Sequence, residues 1–258
     1  MKLVIVGAGA GGPAAATRAR RLDEKAEIVL FEKGEHVSYA HCGLPYYTGG
    51  VIKDRNNLLV SNPQELRTRY NIDVRLHSEV KAIMPDKKQV EVADLANNKH
   101  YLESYDYLIL SPGAEPVRLP LAGDNLKNMF TLRNLTNADA LLGFIHEKQP
   151  RRAVVIGAGF IGLEIAENLK LLGMETTIIE MLDQVLPQLD HEMAFIAQQT
   201  IKANGVGLVL SASAEAIVED GGETKVKLTN GLTIPFDLMI LAVGIKPCLL
   251  YTSDAADE

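Results

Sequence analysis

The segment "VSYAHCGLPYYTGG", residues 37–50, contains the side chain that is best suited to redox chemistry in this sequence. Cys42 is the only cysteine before position 248, and Gly43 and Pro45 follow it. A cysteine thiolate is a nucleophile, and a neighbouring positive charge or dipole favours it. Glycine followed by proline is typical of a helix start, where free N–H groups stabilise a negatively charged sulfur. We interpret Cys42 as a candidate catalytic residue; the alternative is a small buried apolar side chain.

Two glycine-rich segments have the spacing of dinucleotide-binding loops. "KLVIVGAGAGG" begins at residue 2 and "RAVVIGAGFIG" at residue 152. The glycines are Gly7, Gly9 and Gly12 in the first segment and Gly157, Gly159 and Gly162 in the second. The first glycine of each set makes a tight turn, the second lets the backbone approach a pyrophosphate, and the third lets helix and strand pack closely. The start of the following helix then favours the anion.

A glutamate ends the second apolar run that follows each glycine set. Glu32 lies 20 residues beyond Gly12, and Glu180 lies 18 residues beyond Gly162. A carboxylate at this point accepts hydrogen bonds from a ribose diol. Strand, glycines, helix, strand and acid therefore occur twice in the same order, which predicts two nucleotide-binding units in one chain.

The segments that must position these residues are also duplicated. Each half continues with strands joined by polar turns, at residues 86–88 in the first half and at residues 220–222 and 230–231 in the second. "DYLILSPGA" and "DLMILAVGI" are each typical of a buried parallel strand that ends at a glycine. The sequence predicts an α/β fold of two Rossmann-like three-layer domains, residues 1–130 and 131–247, each with a small antiparallel β insertion.

Composition argues against several classes of protein. The chain has 258 residues, of which 47% are hydrophobic and 23% charged, as is typical of a globular protein. Its net charge of −7 provides no basic surface for nucleic acid. No apolar run approaches the roughly 20 residues of a membrane helix. Two cysteines cannot form a disulfide framework, so we expect a cytoplasmic protein, and we expect no metal site.

The last eleven residues, "CLLYTSDAADE", differ from the rest of the chain. The composition changes abruptly at Cys248, and the segment completes no predicted element. It resembles the translation of a transposase adapter used in sequencing libraries. We expect residues 248–258 to be a non-native tail that packs on nothing, with native sequence up to Pro247.

The motifs "GAGAGG", "SYAHCGLPYYTGG", "LILSPGA" and "VVIGAGFIGLEIAEN" together resemble those of the single-cysteine branch of the pyridine nucleotide-disulfide oxidoreductases. Within that branch the chain is most similar to coenzyme A disulfide reductases and persulfide reductases. The resemblance covers residues 1–247 and implies FAD on the first unit and NADH or NADPH on the second. It also implies a homodimer for the full-length protein and a further C-terminal part that completes the flavin site. This piece alone is therefore expected to be inactive.

The resemblance implies cofactor contacts residue by residue. The first glycine set and Glu32 would hold the FAD pyrophosphate and ribose, and the second glycine set and Glu180 would hold the nicotinamide nucleotide. Further flavin contacts are implied at Ser111, Pro112, Gly113, Ala114 and Arg133, and further nicotinamide-nucleotide contacts at Glu164 and Gly244. For Arg133 and Glu164 the alternative is a solvated helix charge.

Four residues match positions at or near the substrate in the coenzyme A reductases. They are Arg18, Arg21, Ser38 and His41. Two arginines one helical turn apart would grip phosphate groups, or else form an exposed basic face. Asparagine usually precedes the cysteine in these reductases, so His41 either tunes Cys42, touches substrate or fills space. Tyr70 stands where a relative has a basic substrate contact.

The resemblance implies an enzyme in which NADH or NADPH reduces coenzyme A disulfide, or a related small disulfide or persulfide, through FAD and Cys42. No second cysteine lies near Cys42, so the partner sulfur must come from the substrate, or oxygen chemistry must replace it. Oxidase and peroxidase relatives usually carry a histidine where this chain has Ala10, which argues against oxygen or peroxide. An NADH oxidase or peroxidase and a redox-sensing flavoprotein are the alternatives.

Overall fold

The chain forms two units by its internal contacts. The computed structural model describes residues 1–121 and 127–248. Among these, unit 1 contains residues 1–40, 56–115 and 247–248, and unit 2 contains residues 41–55 and 116–246. These units are defined by contacts between residues. The domain limits at residues 130 and 247 therefore stay predictions.

Six α-helices and seventeen strands lie within the described ranges. The helices are α1 (Gly11–Leu22), α2 (Leu44–Thr48), α3 (Pro63–Tyr70), α4 (Leu135–Lys148), α5 (Phe160–Leu171) and α6 (His191–Ala203). The strands are β1 (Lys2–Val6), β2 (Glu27–Phe31), β3 (Asp73–Arg75), β4 (Ser78–Met84), β5 (Gln89–Asp94), β6 (Lys99–Ser104), β7 (Tyr107–Leu110), β8 (Ala114–Pro116), β9 (Met129–Phe130), β10 (Arg152–Ile156), β11 (Glu175–Ile179), β12 (Gly207–Val209), β13 (Ala214–Asp220), β14 (Glu223–Leu228), β15 (Thr233–Pro235), β16 (Leu238–Leu241) and β17 (Ile245–Pro247). None of these helices is long and apolar enough to cross a membrane.

Unit 1 is built on a four-stranded parallel sheet in the order β3-β2-β1-β7. β1 and β2 are buried almost throughout, which is why their apolar runs are nearly continuous. The strand order reverses beside β1, which pairs with β2 on one side and with β7 on the other. Ligands of such sheets bind outside the carboxyl ends of the strands at this reversal, and Gly7 directly follows β1 there.

Unit 2 repeats this plan with one strand more. Its parallel sheet has the order β12-β11-β10-β16-β9, so β10 corresponds to β1 and is followed by Gly157. The short strand β9 pairs with the outer side of β16. No described strand takes the corresponding position beside β7.

Each unit also carries a three-stranded antiparallel sheet, β4-β5-β6 in unit 1 and β13-β14-β15 in unit 2. A 3-10 turn at Pro85–Lys87 joins β4 to β5, and Gly221 and Gly222, both with positive φ, join β13 to β14. The turns expected from the sequence are confirmed. The predicted α/β class, with two Rossmann-like units and antiparallel insertions, is confirmed as well.

Candidate functional site

The first glycine loop connects β1 to α1 and is shaped by close backbone contacts. Gly7 has a φ of +94°, and a Cβ at this residue would lie 2.1 Å from the carbonyl oxygen of Ser111. A Cβ on Gly12 would lie 1.9 Å from the carbonyl oxygen of Gly7. Strand and helix therefore approach as closely as the predicted loop requires, with the half-buried Gly9 between them.

The carboxylate of Glu32 ties the end of β2 to this loop. Its Oε2 accepts the backbone N–H of Ala8 at 2.8 Å, and its Oε1 accepts the backbone N–H of Gly34 at 2.8 Å. An ionised carboxylate has about four lone-pair sites, so both oxygens keep capacity for a ribose hydroxyl.

The turn after β7 closes the first loop from the other side. Ser111 donates its backbone N–H to the carbonyl oxygen of Val6 at 2.8 Å. Its hydroxyl lies 3.0 Å from that oxygen and 3.1 Å from the carbonyl oxygen of Gly7. Pro112 and Ala114 are half-buried. The turn predicted to contact the flavin therefore contacts the glycine loop directly.

Gly113 connects this turn to the end of the described chain. It has a φ of +74°, and its carbonyl oxygen accepts the backbone N–H of Cys248 at 3.0 Å. The expectation that the tail packs on nothing is therefore wrong for its first residue. Cys248 directly follows β17 and makes a backbone hydrogen bond to Gly113. The other tail residues, 249–258, lie outside the described ranges.

The second glycine loop, between β10 and α5, repeats the first. Gly157 has a φ of +103°, and a Cβ on Gly162 would lie 2.0 Å from the carbonyl oxygen of Gly157. Gly159 is the N-cap of α5, and a Cβ there would meet no protein atom within 4 Å. The packing of the protein does not require a glycine at this residue, whereas a closely approaching ligand does.

Glu180 takes the place of Glu32 in the second loop. Its Oε2 accepts the backbone N–H of Ala158 at 2.7 Å, and its Oε1 accepts the backbone N–H of Leu182 at 3.0 Å. The residue is 7% exposed. Because the loop itself holds the carboxylate, its position does not depend on a bound nucleotide.

A further duplicated contact was missed by the sequence analysis. Ser38, six residues after the glutamate of the first loop, has a φ of +46° and donates its backbone N–H to the carbonyl oxygen of Ala8 at 2.8 Å. Leu186, six residues after the other glutamate, has a φ of +47° and donates to the carbonyl oxygen of Ala158 at 3.0 Å. Neither residue is a glycine, so no sequence signal marks these left-handed positions.

The residues of both loops fit a dinucleotide. No side chain caps α1 at Ala10 or α5 at Gly159, so the protein's own side chains do not take the anion site at either helix start. A glycine cradle, an uncapped helix start and a carboxylate for a ribose occur together in each unit. The chain therefore contains two candidate dinucleotide sites.

Cys42 is exposed and lies in the 3-10 turn His41–Gly43, directly before α2. Pro45 lies in the first turn of that helix, as predicted. An exposed sulfur does not fit the alternative of a small packing residue. The turn and the helix belong to unit 2, where α2 packs against α4 and α5.

Asp139 on α4 holds the segment that follows Cys42. Its Oδ1 accepts the hydroxyl of Tyr47 at 3.2 Å. Arg55 lies against both carboxylate oxygens, with Nε 3.1 Å from Oδ1 and Nη2 2.9 Å from Oδ2. Burial, together with the charge and hydrogen bond of Asp139, raises the pKa of Tyr47. Sequence reasoning missed this cluster because Asp139 lies 84 and 92 residues from its partners.

The segment that follows Cys42 also packs closely against α5. A Cβ on Gly49 would lie 2.1 Å from Oδ1 of Asn168, which is 1% exposed. The side-chain amide of Asn168 donates to the carbonyl oxygen of Glu164 at 2.7 Å. Burial, with repulsion from Glu167, raises the pKa of Glu164. Asn168 thus contacts both the backbone of Glu164, the predicted nicotinamide contact, and Gly49 in the segment after Cys42.

The remaining predicted residues lie on separate elements. Arg18 and Arg21 are exposed on α1, whereas Arg20 is buried and donates to four backbone carbonyls. Arg133 precedes the N-cap of α4, and Gly244 has a φ of +111° between β16 and β17. The structure brings each glycine set to its glutamate. It groups Cys42, Arg133, Glu164 and Gly244 with unit 2, and Arg18, Arg21 and Ser38 with unit 1.

Comparison with known proteins identifies the family of this chain. The chain matches the pyridine nucleotide-disulphide oxidoreductase family over residues 1–255. It is 37% identical over 246 residues to a coenzyme A disulfide reductase of Staphylococcus aureus (strain JH9), covering 95% of this chain and 55% of that protein. It is 33% identical over 250 residues to an NADH oxidase of Methanocaldococcus jannaschii, covering 96% of this chain and 55% of that protein. The crystal structure of reduced Bacillus anthracis CoADR-RHD matches with a TM-score of 0.92 and 44% identity, covering 95% of this chain and 44% of that one.

The chain belongs to the pyridine nucleotide-disulphide oxidoreductase family, as its motifs indicated. Members of this family are FAD-dependent oxidoreductases that use NADH or NADPH. The chain spans about half the length of the curated relatives it matches.

Proposed function

We propose that the protein containing this chain reduces coenzyme A disulfide, or a related small disulfide or persulfide, with electrons from a nicotinamide nucleotide. The observation that carries the proposal is the presence of two matching dinucleotide cradles and an exposed cysteine, Cys42, in one chain. Two cradles call for two nucleotides. A reactive cysteine with no second cysteine in its segment takes its partner sulfur from the substrate.

Each cradle has its own nucleotide in this proposal. The first loop with Glu32, residues 111–114 and Arg133 would hold FAD. The second loop with Glu164, Glu180 and Gly244 would hold NADH or NADPH. When bound, the two nucleotides supply a hydride path and two electrons for cleaving a sulfur–sulfur bond. The chain itself binds and orients them and presents the sulfur of Cys42.

The covalent step belongs to Cys42. Its thiolate attacks one sulfur of a disulfide R–S–S–R, forms Cys42–S–S–R and releases one R–S⁻. Two electrons from the nicotinamide nucleotide and one proton then cleave the new bond, which restores the Cys42 thiolate and releases the second half of the substrate as R–SH. His41 would hold a proton near this sulfur, while Ser38, Arg18 and Arg21 would bind the polar parts of the substrate.

Mass spectrometry of the mixed disulfide tests the proposal on the chain itself. With excess coenzyme A disulfide, the Cys248→Ser variant should gain one coenzyme A group at Cys42 and release one free thiol per chain. The Cys42→Ser variant should gain none at that segment. An equal reaction at Cys248 in the parent chain would contradict the assignment, because both cysteines would then be ordinary accessible thiols.

Turnover separates the alternative functions in the full-length enzyme. Cys42→Ser should leave FAD bound and remove all but a few per cent of the disulfide reduction. NADH oxidation that consumes oxygen and needs no disulfide would favour an oxidase, a candidate because one relative is an NADH oxidase. A redox sensor would form the adduct at Cys42 without sustained turnover.

A further inference from the structure

We propose that Asp139 is a positioning residue for Cys42. Its carboxylate binds two parts of the segment that follows the cysteine, the phenol of Tyr47 in α2 and the guanidinium of Arg55 where the segment ends. The inference rests on the proposed function, in which Cys42 is the reacting residue.

Helix α2 does not determine its own position. It is five residues long, and helices of little more than one turn are not stable alone. Cys42 lies in the 3-10 turn directly before it, so the position of the sulfur follows the position of this helix. Tertiary contacts of the segment must therefore supply that position.

Helix α4 is a fixed base for such a contact. Ala138 and Leu141, on either side of Asp139, are fully buried, which prevents rotation of the helix. Nε of Arg55 lies 3.0 Å from Oδ2 of Asp139, in addition to its contact with Oδ1. A guanidinium that meets both oxygens of a carboxylate fixes direction as well as distance.

Tyr47 adds a second link, five residues after Cys42. Burial, the charge of Asp139 and the hydrogen bond to it raise the pKa of Tyr47, so the phenol stays a donor throughout the pH range in which thiols ionise. Arg55 and Asp54 are the other charged groups that act on it.

Other contacts set how closely α2 packs, and they do not involve Asp139. Gly49 lies against Asn168, and Thr48 is fully buried with its hydroxyl 2.8 Å from the carbonyl oxygen of Pro45. These contacts remain when the carboxylate is removed. The side chain of Asp139 is also 38% exposed, so its loss should release the direction of the segment without unfolding unit 2.

The test measures Cys42 in the 258-residue chain carrying Cys248→Ser, which leaves one thiol. Its rate of alkylation by iodoacetamide is recorded against pH for this parent, for Asp139→Asn and for Tyr47→Phe, with a synthetic peptide of residues 37–50 as the unpositioned reference. Glu147→Gln is the matched control, because Glu147 is an exposed acid of α4 whose ion pair is with its neighbour Lys148.

Asp139→Asn should shift the rate profile of Cys42 toward that of the peptide, and Tyr47→Phe should shift it part of the way. Glu147→Gln should leave it unchanged. Tryptic cleavage after Lys53, detected by mass spectrometry, should rise severalfold in Asp139→Asn alone, while circular dichroism reports that unit 2 remains folded.

Coincident profiles for Asp139→Asn and its parent overturn the proposal. So does faster cleavage with an unmoved profile, because Asp139 would then only fasten a surface segment. If Asp139→Asn unfolds the chain, the proposal is judged on Tyr47→Phe alone. It is overturned if the alkylation-rate profile of Cys42 in Tyr47→Phe coincides with that of the parent. The proposed function fails by a different observation, the absence of a coenzyme A adduct at Cys42 in the parent, whatever the profiles show.

Discussion

At the scale of single residues, one carboxylate per loop prepares each dinucleotide cradle. Glu32 and Glu180 accept the same pair of backbone N–H bonds in their respective loops. The protein's own hydrogen bonds therefore fix the carboxylate of each loop. In the proposed function, the lone pairs that remain on each carboxylate would accept hydrogen bonds from a ribose.

Glu180 should make the chain prefer NADH to NADPH. A carboxylate at the end of the second strand bonds a free 2′-hydroxyl and repels a 2′-phosphate. Glu180→Ala should reduce the ratio of NADH affinity to NADPH affinity by about tenfold, which is the effect of one charged hydrogen bond. Titration calorimetry with each nucleotide measures the ratio, and Glu175→Ala, at the opposite end of β11, is the control. Equal affinities in the parent would refute the assignment.

Glu164 should lower the stability of the chain at neutral pH. Burial and Glu167 raise the pKa of Glu164, so the charged form of Glu164 is disfavoured in the folded state. The resulting loss of folding stability is fully present above the folded pKa. Glu164→Gln should therefore raise the melting midpoint at pH 7, and the gain should disappear as the pH falls below the ordinary range of carboxyl groups. Thermal scans across pH, with Glu147→Gln as control, test the sign. A gain that persists at low pH would point to a different cause.

At the scale of elements, the same loop and the same insertion serve both units with different side chains. The two glycine loops have to be nearly identical because each leaves no room for a side chain at its third glycine. A Cβ on Gly12 or Gly162 would lie about 2 Å from a backbone carbonyl oxygen. The antiparallel sheets are less constrained, and that of unit 1 is tied to the parallel sheet by a cluster of charges.

Gly159→Ala should separate ligand binding from folding. A Cβ at Gly159 meets no protein atom within 4 Å, so the variant should melt like the parent. If the backbone approaches a pyrophosphate here, affinity for NADH should fall by about tenfold or more. Gly143→Ala, which also has free space but lies within α4, should raise stability by about 0.5–1 kcal/mol and leave binding unchanged. Unaltered NADH affinity in Gly159→Ala would place the pyrophosphate elsewhere.

Glu103 should be the acid that couples β6 to β1 and β3. Burial opposes its ionisation, but hydrogen bonds from Lys2 and Arg75 outweigh burial and hold the pKa of Glu103 below its ordinary value. Its contribution is thus present above the unfolded pKa and lost as the pH falls through the folded one. Glu103→Gln should cost about 2 kcal/mol at pH 7 and much less in acid, by urea denaturation. Glu91→Gln, on the neighbouring strand and more exposed, should cost little.

At the scale of the whole molecule, the two repeats differ mainly where Cys42 lies. The connection from the glutamate to the next parallel strand comprises residues 33–72 in the first repeat and residues 181–206 in the second. The longer connection contains Cys42 and α2, and residues 41–55 make their contacts with unit 2. Residues 41–55 are therefore part of the longer connection of the first repeat, and their contacts lie within unit 2.

Removal of residues 249–258 should leave the melting midpoint and nucleotide affinity of the chain unchanged, as a non-native tail requires. Removal of Cys248 as well deletes its hydrogen bond to Gly113 and should cost up to about 1 kcal/mol. Calorimetry of the two truncated chains makes the comparison. A large loss from the shorter deletion would show that the tail belongs to the fold.

The parts of this protein that depend on local spacing can be predicted from the amino-acid sequence. Gly7 and Gly157, the glutamates and the buried strands were predictable because a tight turn, a close helix and a short apolar run each restrict the residues within a few positions. The duplication made the prediction stronger, since the same order of signals occurs twice. The family followed from the same motifs.

The contacts that hold residues 41–55 become evident only in the folded chain. Tyr47 and Asp139 are 92 residues apart, and neither has a spacing that predicts their contact. Ser38 and Leu186 adopt the left-handed conformation and donate their backbone N–H groups to loop carbonyls, although nothing in their side chains favours that conformation. Such contacts join residues that the packing of helices and strands brings together, and hydrophobic periodicity carries no information about which distant partners will meet.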